Sequence, residues 1–192
     1  MMTTSILLAG VGGQGIVLAS TIVAAAAMKS GHCVKANEVH GMAQRGGSVV
    51  AEVRYGSEVN SPLIIPGTAI AIAAFEQLEA LRYAHYLRKD GIAIVSSQKI
   101  VPATATFGQT PYPENVEERL RSIFSKLVYF DAEKIAGDVG NSKASNVVVL
   151  GALSNVLDFP EQSWLEAISE SVNPKHVEVN LQAFKKGRSV NK

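Results

Sequence analysis

Ser5-Ile6-Leu7-Leu8-Ala9-Gly10-Val11-Gly12-Gly13-Gln14-Gly15 is the stretch on which the reading of this sequence turns. Residues 5–9 are short, apolar and bounded by glycine, which predicts a buried strand. A glycine-rich turn over 10–15 follows, and then the mostly apolar run IVLASTIVAAAAM over 16–28. Small residues fill that run (Ala19, Ser20, Ala24, Ala25, Ala26, Ala27), so a helix there can lie very close to a sheet. Gly31 sits where a glycine ends a helix. The run is shorter than the ~20 apolar residues that a bilayer crossing needs. No basic residue precedes Lys29, so the charged region of a signal peptide is missing. The run is read as a buried helix, the protein as cytoplasmic, and no membrane is expected as a partner.

Working outward, strands are expected at 32–39, 48–55, 69–74, 92–96 and 128–131. Helices are expected at 76–88 (closed by Gly91), 116–127, 146–157, 163–171 and 181–186, the last stopped by Gly187, and a helix or turn starts over 132–137. Residues 102–113 carry prolines and are read as irregular. Strands alternating with helices imply an α/β fold: a mainly parallel sheet with helices on both faces, a Rossmann-like variant. The 192 residues show no internal repeat and are read as a single domain spanning 1–192.

Composition narrows the function classes. Apolar residues make up 47% and charged residues 18%, an ordinary globular balance. The formal net charge of +1 gives no electrostatic case for nucleic acid. Lys185, Lys186, Arg188 and Lys192 are read as a solvated terminus. Cys33 is the single cysteine, which excludes an internal disulfide and a self-contained iron–sulfur cluster, since a cluster usually takes four thiolates. It is read as a small buried residue. No histidine or cysteine grouping has zinc spacing, so no metal site is assigned.

Gly10, Gly12 and Gly15 fit G-x-G-x-x-G between a strand and a helix, where backbone amides face an anion. Glu38 stands about where a ribose-binding acid is expected, and on these features alone the pattern says NAD or FAD. A dinucleotide fold, however, runs its second strand into another helix. Here the second strand runs into His40-Gly41-Met42-Ala43-Gln44-Arg45-Gly46-Gly47 and then another strand, with no room for a crossover helix. Three readings stay open: a tight turn and nothing more, an anion or nucleotide contact, and a full dinucleotide site. The second loop belongs at the rim of the sheet, where a polar backbone stays solvated. Arg45 offers a five-donor fork for carboxylate or phosphate, and Gly46 and Gly47 let the backbone close around such a group. His40, with no paired acid, is read as a structural hydrogen-bonder.

The turn over 10–15 and the segment Glu38-Val39-His40-Gly41-Met42-Ala43-Gln44-Arg45-Gly46-Gly47-Ser48 together resemble the gamma-type subunit or domain of the 2-oxoacid:ferredoxin oxidoreductases. Within that family the likeness is to the beta subunit of the indolepyruvate type, because Met-Ala-Gln before Arg45 is similar to the arylpyruvate branch. Further matches are Glu79-Ala80-Leu81-Arg82, Tyr112-Pro113, Asn146 with Leu150-Gly151-Ala152, and Asn180 with Ala183-Phe184 and Gly187. The resemblance implies an enzyme that oxidatively decarboxylates a 2-oxoacid with coenzyme A and passes electrons to ferredoxin. It implies a larger partner subunit carrying thiamine diphosphate, magnesium and iron–sulfur clusters, and because the core does not need the glycine-rich rim loop over 40–47, the chain is expected to self-associate when that partner is missing. The residues agree on what is absent. Gly137-Asp138-Val139-Gly140-Asn141 lacks the spacing of a thiamine motif, so no cofactor is assigned to this chain alone and no residue is assigned a catalytic role. The candidate cofactor contacts are Gly10, Gly12, Gly13, Gln14, Gly15, Arg45, Gly46 and Gly47, with a coenzyme A phosphate as the anion. The alternatives are the gamma subunit of a pyruvate, ketoisovalerate or 2-oxoglutarate oxidoreductase, and a stand-alone dinucleotide-binding protein.

Overall fold

A computed structural model describes residues 3–41, 46–101 and 111–190. Six strands form one sheet: β1 (Thr4–Val11), β2 (Cys33–His40), β3 (Ser48–Gly56), β4 (Ala69–Ala74), β5 (Leu87–Ser96) and β6 (Leu127–Phe130), in the order β2-β3-β1-β4-β5-β6. β1, β4, β5 and β6 pair in parallel. β3 runs antiparallel to both of its neighbours, β1 and β2. Five of the six strands therefore point the same way, and the sheet is mainly parallel as the sequence implies.

The alternation of side chains along β1 builds the two faces. Ile6, Leu7, Leu8 and Ala9 are all fully buried, as only a central strand covered on both sides allows. Ile6 and Leu8 join Ile22, Val23, Leu150, Trp164 and Phe184 on one side. Leu7 and Ala9 join Ile72, Val95, Val116 and Leu120 on the other. Each such leucine or isoleucine contributes about 1.5–3 kcal/mol of burial. The first face is covered by α1 (Ile16–Lys29), α4 (Ala132–Asp138), α5 (Ser145–Ser154), α6 (Glu161–Ser171) and α7 (Val177–Arg188). The second is covered by α2 (Gln77–Arg82) and α3 (Val116–Ile123). No helix among the described residues is long and apolar enough to cross a membrane.

Several boundaries differ from the sequence reading, and glycine explains two of them. Gly31 does end α1, at φ +85°, with its N–H bonded to the Met28 carbonyl. Gly91 ends no helix. The helix expected over 76–88 stops at Arg82, and β5 begins at Leu87 and absorbs Gly91. A Cβ on Gly91 would lie 2.6 Å from Leu87 Cδ1 and 3.0 Å from the Ile70 carbonyl oxygen, beside an irregularity in the β4–β5 register. Gly187 likewise does not stop the last helix, which runs through it to Arg188. A Cβ there would lie 2.0 Å from the Val148 carbonyl oxygen, and one on Gly151 would lie 2.2 Å from that of Phe184. α5 and α7 thus cross backbone against backbone, which only glycine permits. The helix expected over 116–127 ends at Ile123, because Leu127 is already in β6. Cys33, expected to be buried, lies exposed on the edge strand β2. The irregular segment expected over 102–113 lies outside the described residues, except for 111–113.

Gly187→Ala tests the crossing. Its methyl group has no space, so the helices must separate, at a cost of about 1–3 kcal/mol. Urea denaturation should show that loss, whereas Gly137→Ala, where an added Cβ meets nothing within 4 Å, should be neutral or stabilising.

Candidate functional site

The glycine turn lies at the carboxyl end of β1, next to the short connection that joins β2 to β3. The two are tied together by backbone. Gly12 N–H donates to the Gly47 carbonyl at 2.8 Å, and Gly46 N–H donates to that of Gly12 at 3.4 Å. Gly13 and Gly15 adopt φ +106° and +76°, so the turn needs glycine at both positions. Gly15 also needs it sterically, because a Cβ there would lie 2.5 Å from Asn146 Nδ2.

Gln14 holds the turn in shape. Its side-chain oxygen accepts from Val11 N–H at 2.8 Å. Its side-chain nitrogen donates to the Phe75 carbonyl at 2.6 Å and to Gln98 Oε1 at 2.7 Å. Gly10 makes room for this curl, since a Cβ there would meet Gln14 Oε1 at 2.8 Å. Both polar ends of the Gln14 side chain are therefore engaged within the chain. Gln98 in turn donates to Glu133, and its carbonyl accepts from Gln77 N–H. Beside it, the buried Glu76 caps α2 through the Leu78 and Glu79 amides and accepts from Ile100 N–H and the Tyr112 hydroxyl. Burial, and then the Glu76 carboxylate, push the Tyr112 hydroxyl well above its ordinary pKa, which keeps it a donor. A second buried carboxylate, Glu79, accepts from Ser48 Oγ and from Arg82 Nε, and fixes the start of β3 beside Val11.

This scaffold leaves donors free where the turn meets solvent. Gly12 N–H and Gln14 N–H are consumed by Gly47 and Val11. Gly13 N–H and Gly15 N–H have no acceptor among the described residues, and they stand at the start of α1, whose dipole adds partial positive charge. Two crevices flank the turn. One, of about 420 Å³, is mostly apolar and lies among Gly12, Gly13, Ile16, Val17, His40 and Val49. The other, of about 430 Å³, is more polar and includes Gln14, Gln98, Glu133, Ser142 and Lys143. Of the residues singled out in the sequence, Gly12, Gly13, Gln14 and Gly15 line a crevice. Gly10, Gly46 and Gly47 shape the turn, and Gln14 braces it. Arg45 lies outside the described residues. Gln98 carried no signal in the sequence and Asn146 only a family match without a role, because each reaches the turn across more than 80 residues of sequence.

Glu38 does not serve the turn. β3 lies between β2 and β1, so Glu38 is two strand spacings from β1, roughly 10 Å. Its carboxylate accepts from Ser20 Oγ on α1. The acid that a dinucleotide ribose requires is thus out of place. Among the described residues no group of three or more histidine, cysteine, aspartate or glutamate side chains is arranged for a metal.

A mostly parallel sheet, covered by helices on both faces, with a glycine turn at its carboxyl end and a reversed strand beside it, defines an α/β class of domain. The chain belongs to the pyruvate ferredoxin/flavodoxin oxidoreductase family, whose description matches residues 5–190. It is 41% identical over 192 residues to the indolepyruvate oxidoreductase subunit IorB of Thermococcus kodakarensis, covering 97% of this chain and 95% of that one. It is 42% identical over 190 residues to the IorB subunit of Archaeoglobus fulgidus, covering 97% and 94%. Among solved structures it is similar to the keto/oxoacid ferredoxin oxidoreductase gamma subunit of Geobacter sulfurreducens, with a TM-score of 0.72, 25% identity and 97% of both chains covered.

Gln14→Ala should strip the turn of its brace. Val11 N–H and the Phe75 carbonyl lose their partners, and stability should fall by about 2–4 kcal/mol. Thermal unfolding and amide exchange at Gly12 and Gly13 measure the effect. A melting temperature equal to that of the parent would show that the brace is dispensable.

Proposed function

We propose that this chain is the small, non-redox subunit of an indolepyruvate-type 2-oxoacid:ferredoxin oxidoreductase, and that residues 1–192 form a single gamma-type domain of that enzyme. The observation that carries the reading is end-to-end identity of 41–42% with IorB subunits, which spans both the turn and the scaffold that braces it. The reaction is the oxidative decarboxylation of a 2-oxoacid with coenzyme A, giving an acyl-CoA, carbon dioxide and reduced ferredoxin. This chain's residues do not fit the redox groups such chemistry uses. One cysteine, exposed on an edge strand, cannot hold an iron–sulfur cluster, and no pair of residues here has the spacing of a thiamine diphosphate site. Thiamine diphosphate, magnesium and the clusters are assigned to a larger subunit, which also passes electrons to ferredoxin.

The contribution of this chain is a prepared wall. The Gly13 and Gly15 amides and the start of α1 offer donors to one anionic group, for which a phosphate of coenzyme A is the candidate. Gly46 and Gly47 hold the turn open from the β2–β3 connection, and Arg45 supplies a guanidinium from the same connection. The carboxyl end of the sheet then faces the larger subunit, so that the apolar crevice beside His40 is closed by the assembly.

Reconstitution with the larger subunit tests the reading. The purified chain should be colourless and inactive toward any 2-oxoacid, while the complex should reduce ferredoxin with an arylpyruvate and coenzyme A. Arg45→Ala should lower turnover by about tenfold or more without lowering the melting temperature of the free chain, as loss of a desolvated bidentate contact does. A fully active larger subunit without this chain would overturn the assignment.

A further inference from the structure

A separate polar crevice of about 230 Å³ opens where the first turns of α1 meet the 3-10 turns Ser142–Ala144 and Pro174–His176. We propose that it binds a small oxyanion carrying its own hydroxyl group, such as hydrogen phosphate or a hydroxycarboxylate. Asn141, Lys143 and Asn146 converge on it from one stretch and Asn173 and Asn180 from another that is distant in sequence, and no aspartate or glutamate lines it. Ser171 and the exposed His176 complete its rim.

The chemistry follows from which atoms are already engaged. The side-chain oxygens of Asn141, Asn146 and Asn173 accept from the backbone N–H groups of Lys143 at 3.1 Å, Val147 at 2.9 Å and Lys175 at 3.0 Å. Their amide nitrogens are what remain. Asn146 Nδ2 gives one hydrogen to the Gly15 carbonyl at 3.3 Å and keeps a second, and those of Asn141 and Asn173 meet no acceptor among the described residues. Lys143 Nζ has no carboxylate partner among them either. A lining of several donors and one fixed positive charge suits an oxyanion.

Asn180 adds the second requirement. It is only 7% exposed, and its side-chain nitrogen donates to the His176 carbonyl at 2.7 Å. Its side-chain oxygen receives no hydrogen bond from any described residue. Asn180 lines the crevice and this oxygen is open to solvent there, so the O–H of a ligand can reach it. A ligand that brings both anionic oxygens and an O–H satisfies the donors and this acceptor together, which a plain carboxylate cannot do. The site shares Lys143 with the polar crevice at the glycine turn, and Asn146 ties it to that turn through Gly15. Asn180 is a sequence match that the glycine turn leaves without a role.

The test is a titration of the full chain, followed by the side-chain amide NMR signals of the four asparagines. Inorganic phosphate, lactate and acetate are added at matched ionic strength. Phosphate or lactate should give saturable shifts in the millimolar range, the tighter of the two naming the source, and acetate should bind about tenfold more weakly for lack of a donor. Lys143→Gln, an exposed position whose loss leaves the fold intact, should weaken binding by about tenfold. Asn180→Asp should abolish it by placing a carboxylate inside, and a melting curve checks that this variant folds. If Asn180→Asp does not fold, the Lys143→Gln and acetate arms decide. Shifts that chloride reproduces, or that Lys143→Gln leaves unchanged, overturn the proposal, as does equal binding of acetate and phosphate.

Discussion

β3 runs against both strands it touches, and the character of the carboxyl end of the sheet depends on that reversal. A strand that continues parallel to β1 needs a crossover helix, which would carry the chain away from the glycine turn. A reversed strand needs only a short connection, and that connection falls back onto the turn. Gly12 and Gly47, Gly46 and Gly12 are the contacts that result. The same reversal pushes β2, and Glu38 with it, one strand further from β1. One change in strand direction thus removes the acid that would hold a ribose and substitutes a glycine-rich rim.

The turn is rigid for a reason that lies elsewhere. Its shape is set by Gln14, which spans to β4 through the Phe75 carbonyl and to the segment after β5 through Gln98. Next to Phe75, Glu76 accepts from Ile100 N–H and the Tyr112 hydroxyl. Positive φ at Gly13 and Gly15 fixes where the two free amides point. A surface prepared in this way loses little conformational entropy when a group docks on it, which is the condition for a subunit that contributes binding and leaves the chemistry to its partner.

Much of this was legible in the sequence where the signal is local. Residues 5–9 gave β1, because an apolar run between glycines has few other readings, and the small residues over 16–28 gave a helix close to the sheet. The loop 40–47 was too short for a crossover helix, and that alone counted against a dinucleotide site. Glycine was the least legible residue type. Gly91 and Gly187 carry the same local signal as Gly31, yet one sits in a strand and the other in a helix crossing, because a close approach is defined by the distant backbone that approaches. The same limit applies to Gln14, whose sequence neighbours suggest a ligand contact and whose actual partners are Phe75 and Gln98. It applies also to Asn146, which reaches Gly15 from 131 positions away.

The proposed contact of this subunit with the larger one lies at the carboxyl end of the sheet. Hydrogen–deuterium exchange of the free chain and of the assembled complex measures this directly. Slowed exchange is expected at residues 13–18 and 46–49 on assembly, with little change at the amino ends of β1 and β4. Protection confined to those amino ends or to α7, with the glycine turn exchanging as fast as in the free chain, would contradict it.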